Sequence, residues 1–495
     1  MGHNATGLLS SFPNGGVKAE EVLKAKDGVK SAVEESPFEG PSTLSYDEYE
    51  AASDSDMIIF HDRTYTPTAM DVGCCLRVEV AAHSSVDHSV LAGPVITFSE
   101  PVLSAPKPPP KRPLITVPGS ATFSGVRFRV LTYNVLAEMY ATRQIYPSCD
   151  SWILSWPYRR TILMHELSEA QGDIVCLQEL QYDHYEHYLL PFMFSLGYES
   201  IFTQKSRESQ GVYGKVDGCA TFWKRSKFVM IENYDIEFNE VARRVASELG
   251  LDDAERRRFM NKLSKDNIAQ LIVLDTSQSR QQLRGGRTAI CVVNTHLYAN
   301  KNQPEVKLWQ TLALVNEVES FVVERDLALM MCGDFNSEPV SSVYELLSEA
   351  GVVNARPEVD GSESSVYLPD AGNITHNLDV ASAMNTVLKS EPAFTNYTTN
   401  YKGTLDYIWY TPSRIKVMAC TALPDEKDLL EFGDALPNAV YPSDHLMLCC
   451  DVALSSQGGS VLRNPNRKNI TTPLATRASN NKNNNGRNNS MQSGR

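Results

Sequence analysis

The sequence predicts an α/β protein, two packed sheets with helices outside them, preceded by a small β module. Three observations predict it. Apolar runs short enough for strands outnumber those with helical spacing, and several are apolar on both faces, which a single sheet does not explain. Residues 105–118 (APKPPPKRPLITVP) form a stiff, extended proline-rich linker between a short strand-rich segment and a long one. Strand after strand in the long segment stops abruptly at Asn, Asp, Glu or His, which puts polar groups on a sheet rim.

Bulk properties narrow the function. At 495 residues and 42% hydrophobic, the chain can bury one large domain and carry extensions. A formal net charge of −14 argues against coating nucleic acid by bulk attraction, while leaving room for an acidic, metal-loaded centre beside a locally basic groove. The ten cysteines are scattered, with no CxxC pair, which suits a reduced compartment better than a disulfide framework or a zinc site. No apolar run approaches the ~18 residues of a membrane span, and the N-terminus lacks the basic-then-apolar pattern of a secretory signal. The expectation is a soluble protein with no membrane partner, cytoplasmic and also nuclear.

In chain order, residues 1–55 carry Gly, Ser, Glu and Lys with little periodicity and are expected to be disordered. Residues 56–104 contain MIIF, CLRVEVAA and VITFSE, a few strands joined by turns. Residues 105–125 are linker, and 126–455 form the main domain. There FRVLTYNV ends a strand near Asn134, and a helix starts at Pro157, a residue suited to a first helical turn. DIVCLQEL ends at Gln178-Glu179, and GCATFWK, AQLIVLDT and TAICVVNTH follow as strands. From Pro304, the spacing of Leu308, Leu312, Val315, Val318 and Val322 predicts a helix. LALMMCGDFNSEP (residues 327–339) is a buried strand that breaks at a glycine and presents Asp334 and Asn336. A helix at 343–350 and a polar insert at 356–377 come next, then the strands GTLDYIWY, IKVMAC and LMLCCDVAL. Residues 456–495 are Asn- and Ser-rich without an acid and are expected to be disordered.

Asn134, Glu179, Asn294 with His296, Asp334 with Asn336, Asp406, and Asp444 with His445 all lie at strand ends. Each alone has a plain reading as a cap, a turn, a core histidine or a paired carboxylate. Together they are residue types that phosphate chemistry needs. A phosphodiester repels nucleophiles with its anionic oxygens, so catalysis is charge neutralisation and positioning. Mg2+ suits the task because it takes only a few oxygen ligands from protein.

The set YNV, LQE, NTH, GDFNS, LDYI and SDH, spread over residues 126–454, resembles the endonuclease/exonuclease/phosphatase superfamily that includes pancreatic deoxyribonuclease. The resemblance implies a four-layer αββα sandwich of the pancreatic-deoxyribonuclease-like type, with one divalent-metal phosphodiesterase site between the sheets. By it, Glu179, Asn134 and Asp444 hold Mg2+, with Mn2+ as a substitute and no other small-molecule cofactor. Asp334 activates the attacking water, Asn336 contacts the phosphate, Asp406 orients His445, and His296 adds donor character. Asn294 and Tyr401 bind substrate.

Closer wording comes from residues 140–144 (YATRQ), 152–160 (WILSWPYRR), 216–228 (VDGCATFWKRSKF) and 394–410 (FTNYTTNYKGTLDYIWY), which resemble the carbon catabolite repressor 4-type mRNA deadenylases. This resemblance implies a 3′-to-5′ exoribonuclease acting on poly(A) RNA and releasing AMP, with other deadenylase subunits as partners and Tyr401 stacked on the terminal adenine. Two departures stand out. The loop after His296 reads YANKNQ where the family carries an Asp-Pro pair that helps hold adenine, and no leucine-rich repeat precedes Val126, as in plant-type members. Alternatives are a 2′,5′-oligoadenylate phosphodiesterase or abasic-site nuclease of the same fold, and a non-catalytic scaffold. The presence of Glu179, Asp334, Asn336, Asp406 and His445 counts against the scaffold.

Overall fold

Side-chain alternation along each strand decides the layers. In Ala289–His296, Ile290 and Val292 pack into one core, while Cys291 and Val293 pack into another. Ala328–Asp334 repeats the pattern, with Met330 and Cys332 on the first face and Leu329 and Met331 on the second. A strand apolar on both faces must be covered on both, by a sheet on one side and helices on the other. The computed structural model describes residues 65–84, 86–87, 89–206, 216–276, 289–353, 373–455 and 459–464, together with the backbone of 17–25 and 57–60.

Residues 1–106 and 107–495 form two units. In the larger unit, a seven-stranded sheet runs in the order Leu114–Thr116, Ile415–Thr421, Leu448–Leu454, Val126–Asn134, Ile174–Gln181, Asp217–Lys224 and Tyr198–Gln204. A six-stranded sheet runs Phe228–Glu237, Ile268–Thr276, Ala289–His296, Ala328–Asp334, Asp406–Tyr410 and Ala381–Ser382. Val130, Cys176 and Val452 of the first sheet meet Ile272, Ile290, Met330 and Ile408 of the second in the core between them. Outside the first sheet lie the helix Trp156–Ala170 and the helical stretch 182–195, through Leu163, Leu167, Leu189 and Met193. Outside the second lie Pro304–Arg325, Phe238–Glu248 and Asp253–Leu263. The four layers are therefore αββα, as expected.

Some boundaries differ from the sequence reading. Val17–Ala25 is a strand inside the stretch read as lacking order, where pairing with Cys75–Ser84 and Met57–Phe60, not local apolar periodicity, supports it. The smaller unit is a four-stranded antiparallel sheet in the order Met57–Phe60, Val17–Ala25, Cys75–Ser84, Val90–Pro101. The second half of the linker is not a spacer, because Leu114–Thr116 pairs with Ile415–Thr421 at the edge of the large sheet. Past Ser456, residues 459–464 lie along the domain. Val461 is buried in the helix-side core, and Arg414 donates to Gly459 O at 3.1 Å. The remaining residues of the two termini expected to be disordered, and 356–372 of the polar insert, fall outside the described residues.

Candidate active site

Strand register assembles half of the site. Parallel pairing sets His296 beside Asp334, and antiparallel pairing sets Asp334 opposite Asp406. The three form one rung, on the face that Val292, Cys332 and Ile408 fill with apolar atoms further down. They therefore point into the gap between the sheets where its apolar filling ends. Gly333 permits the close spacing, since a Cβ there would collide with Thr295 O.

The facing sheet contributes by a different device. Asn134 continues the inward face of Phe128 and Val130 and is aligned with Gln178. Strict alternation would turn Glu179, the next residue, to the other face. A bulge between Leu177 and Leu180 and a left-handed backbone at Glu179 (φ 54°) aim its carboxylate inward instead. Its Oε2 accepts from the Ala137 N–H at 3.1 Å, and its Oε1 from Asn134 Nδ2 at 3.2 Å.

Three nitrogens converge on one oxygen. Asp334 Oδ2 lies 3.1 Å from Asn134 Nδ2 and 3.6 Å from Nε2 of both His296 and His445. Asp334 Oδ1 accepts the Asn336 N–H at 2.8 Å. His445 Nδ1 is 2.8 Å from Asp406 Oδ2, which also accepts the Thr395 hydroxyl at 2.6 Å. That contact fixes the imidazole with its proton on Nδ1 toward Asp406 and Nε2 toward Asp334. Burial raises the Asp334 carboxyl from 3.8 to about 7; His445 pulls it down and Asp406 pushes it up. Burial works to lower the His445 imidazole, but Asp406, Asp334 and Asp444 hold it well above its usual range. Burial also raises Glu179, with Lys205 opposing.

The residues fit a divalent cation. Ligand atoms of Asp334, Asp406 and His445 lie within 4.8 Å of one another, and Glu179 Oε1 is 3.9 Å from His296 Nε2. The second oxygen of Asp406 is buried with no hydrogen-bond donor among the described residues. Carboxylate oxygens in that number, with imidazole beside them, form the donor set of a hard divalent ion.

A further set of side chains holds the loops. The buried Arg159 guanidinium donates to Val135 O at 3.1 Å, Pro442 O at 3.0 Å and Leu154 O at 3.1 Å. It thereby ties the loop after Asn134 to the one that carries Asp444 and His445. Ser443 Oγ donates to Asn134 O at 2.7 Å and accepts the His445 N–H at 3.1 Å. Asn267 donates to His296 O at 3.0 Å, and Lys307 Nζ donates to Asn336 O at 2.7 Å, where Asn336 has a left-handed backbone (φ 48°). Lys205 and Asp217 form a buried ion pair at 2.5 Å whose lysine acts on Glu179.

Most of the expected residues meet here: Asn134, Glu179, His296, Asp334, Asn336, Asp406 and His445. Asp444 is buried next to His445, and Asn396 donates to its Oδ2 at 3.0 Å. Tyr401, half-buried on the hairpin of Asn396–Thr398 and Tyr401–Gly403, donates to Glu338 Oε1 at 2.9 Å. Asn134, expected to hold metal, turns its amide nitrogen to the carboxylates of Glu179 and Asp334 while its oxygen accepts the Leu136 N–H at 3.1 Å. One assignment needs correction. Asn294 was expected to bind substrate, but it is wholly buried. It accepts from Gln178 Nε2 at 2.8 Å and donates to Ala220 O at 3.0 Å, forming a polar floor that joins the sheets. Sequence reasoning missed Arg159, Thr395, Asn396 and Asp217 as supports, although each lies inside a stretch singled out for its wording. The signal was their position beside site residues, and only contacts give them roles.

The sequence matches the endonuclease/exonuclease/phosphatase family over residues 131–445. It is 33% identical over 421 residues to carbon catabolite repressor protein 4 homolog 2 of Arabidopsis thaliana, covering 79% of this chain and 69% of that one. It is 31% identical over 364 residues to the CCR4-Not complex 3′-5′-exoribonuclease subunit Ccr4 of Schizosaccharomyces pombe, covering 68% and 51%. Among solved structures, ANGEL2, a 2′,3′-cyclic phosphatase in complex with adenosine-2′,3′-vanadate, superposes with a TM-score of 0.55 and 26% identity over 70% of this chain and 99% of that one.

Proposed function

This chain belongs to the endonuclease/exonuclease/phosphatase family, and from that premise we propose that it is a Mg2+-dependent 3′-to-5′ exoribonuclease that shortens poly(A) tails and releases AMP. The observation that carries the reading is the convergence of His296, His445 and Asn134 on Asp334 Oδ2, with Glu179 held beside it by the same Asn134 amide. Relatives named as carbon catabolite repressor 4 homologs and as a 3′-5′-exoribonuclease subunit support the substrate class.

In this mechanism Asp334 takes the proton of the attacking water. A carboxyl raised to about 7 is a better base near neutral pH than an ordinary one. His445, oriented by Asp406, faces the phosphate with Nε2, and its positive charge offsets the charge that builds on the phosphoryl oxygens. His296 adds a second donor on the same side. A divalent cation held by Glu179 and the neighbouring carboxylates supplies further charge neutralisation. Tyr401 stacks on the terminal base. Other deadenylase subunits are the expected partners, in the cytoplasm and the nucleus.

Incubating the protein with Mg2+ and 5′-labelled oligo(A) should give a ladder that shortens from the 3′ end and is abolished by EDTA. An intact oligo(A) would refute the proposal. The likeness to a 2′,3′-cyclic phosphatase favours a second reading, in which the same centre removes a terminal cyclic phosphate by two hydrolyses, the first water opening the ring and the second releasing inorganic phosphate from the resulting monoester. An oligonucleotide ending in a 2′,3′-cyclic phosphate, supplied alongside, separates the two: loss of the phosphate with the chain length unchanged selects the phosphatase.

A further inference from the structure

The rim of the site holds a carboxylate that the mechanism does not use. Glu338 is exposed, four residues beyond Asp334, and takes the Tyr401 hydroxyl on Oε1 at 2.9 Å. The Tyr401 ring is folded back onto its own hairpin. Gly403 makes this possible, because a Cβ there would collide with the tyrosine hydroxyl, and Glu338 Oε1 lies 3.4 Å from the same point. One edge of the ring is therefore pinned by Glu338 while the residue stays half-exposed. Among the described residues no lysine or arginine pairs with Glu338, and its carboxylate is exposed beside Tyr401.

A carboxylate at the edge of a stacking ring is an acceptor and never a donor. A base lying on Tyr401 would present its own edge toward that carboxylate. Adenine, cytosine and guanine bring an exocyclic amine, which donates. Uracil brings carbonyls, which the carboxylate repels, with its one donor, N3–H, recessed between them. Sites that hydrogen-bond one partner and leave the analogue unpaired discriminate far more strongly than shape does.

We propose that Glu338 is a specificity-determining residue that selects a 3′-terminal base bearing an exocyclic amine and works against uracil. The inference rests on the exoribonuclease reading above, and its charge-assisted contact is separate from the grip of the ring itself. Stacking holds any base, whereas the carboxylate chooses among them.

The test compares kcat/KM of the full chain, with Mg2+, on 5′-labelled RNAs that differ only in a 3′ tract of A or U. Glu338→Gln, which can donate as well as accept, should lower the A:U ratio by about tenfold, the scale of one charge-assisted hydrogen bond. Tyr401→Phe keeps the ring and cuts the tyrosine–carboxylate bond; its A:U ratio should stay within about twofold of the wild type if Glu338 reads the base directly. A ratio unchanged in Glu338→Gln overturns the inference while leaving the exoribonuclease intact. An equal collapse in Tyr401→Phe also overturns it, by showing that the carboxylate acts only through the tyrosine. A wild-type chain that trims neither RNA sinks both readings.

Discussion

The two sheets supply the same site by opposite means. On the six-stranded sheet, His296, Asp334 and Asp406 are a single rung, placed by register and by the alternation that also builds the core. On the seven-stranded sheet, Glu179 reaches the gap only through a bulge and a left-handed residue, and the loop that follows Asn134 is tied by Arg159 to the one that carries Asp444. The rung comes with the fold. The other half needs its backbone conformation held against its own preference, a cost of order 1–3 kcal/mol that the surroundings must offset. Chemistry needs both, so the weak half limits how precisely the site is set.

The comparison breaks first at the chemistry. Asp334→Ala on the rung and Glu179→Ala on the bulge should each lower kcat/KM by at least ~100-fold, the scale of losing a water activator or a metal anchor. Circular dichroism should show both variants folded, and near-normal turnover in either would remove that residue from the site. Asp334 is also the partner of both histidines, so its loss should be the larger.

Next comes the support. Arg159→Met strips three backbone carbonyls of their donor and should cost about 3 kcal/mol in urea-induced unfolding. If only the bulge half depends on it, the folded fraction should also bind Mg2+ more weakly, as read by calorimetry. Unchanged Mg2+ affinity would show that the loops hold their places without the guanidinium.

The third test uses pH. The fold favours the protonated form of Asp334, raised from 3.8 to about 7, and of His445, held above its usual range. For Asp334 that contribution to stability is full below 3.8 and is lost as pH rises through about 7; for His445 it is lost as pH rises through its own higher folded value. The metal-free protein should therefore melt lower at pH 8 than at pH 6, and Mg2+ should raise the melting temperature by a few degrees more at pH 8. Equal Mg2+-induced shifts at the two pH values would separate the cation from these groups. The smallest effect is expected at the rim, where Tyr401→Ala should blur the preference for adenine more than it slows cleavage; equal losses on all four bases would exclude stacking.

The residues of the rung half, though not their register, were legible before any coordinates. LALMMCGDFNSEP, NTH and LDYI each read as a strand ending in a reactive side chain, and strands of that kind have few ways to sit other than side by side. In the bulge half Asn134 and Glu179 were legible as strand-end candidates, but the aim of Glu179 was not, because alternation alone turns it away from the gap, and a left-handed glutamate leaves no mark in the sequence. Asn294 shows the reverse failure. It shares a strand end with His296, but one rung deeper it is sealed between the sheets against Gln178. Glu338 had no signal at all until Tyr401 was seen to reach it.

By itself the sequence determined the layers and the strand-end residues of the rung, because periodicity and residue type are local properties that burial converts directly into structure. Tertiary structure alone decided the register of that rung, which amide is buried, how Arg159 reaches Pro442, 283 positions away, and which carboxylate Tyr401 meets. Those depend on distances between residues remote in the chain, and no local pattern encodes them.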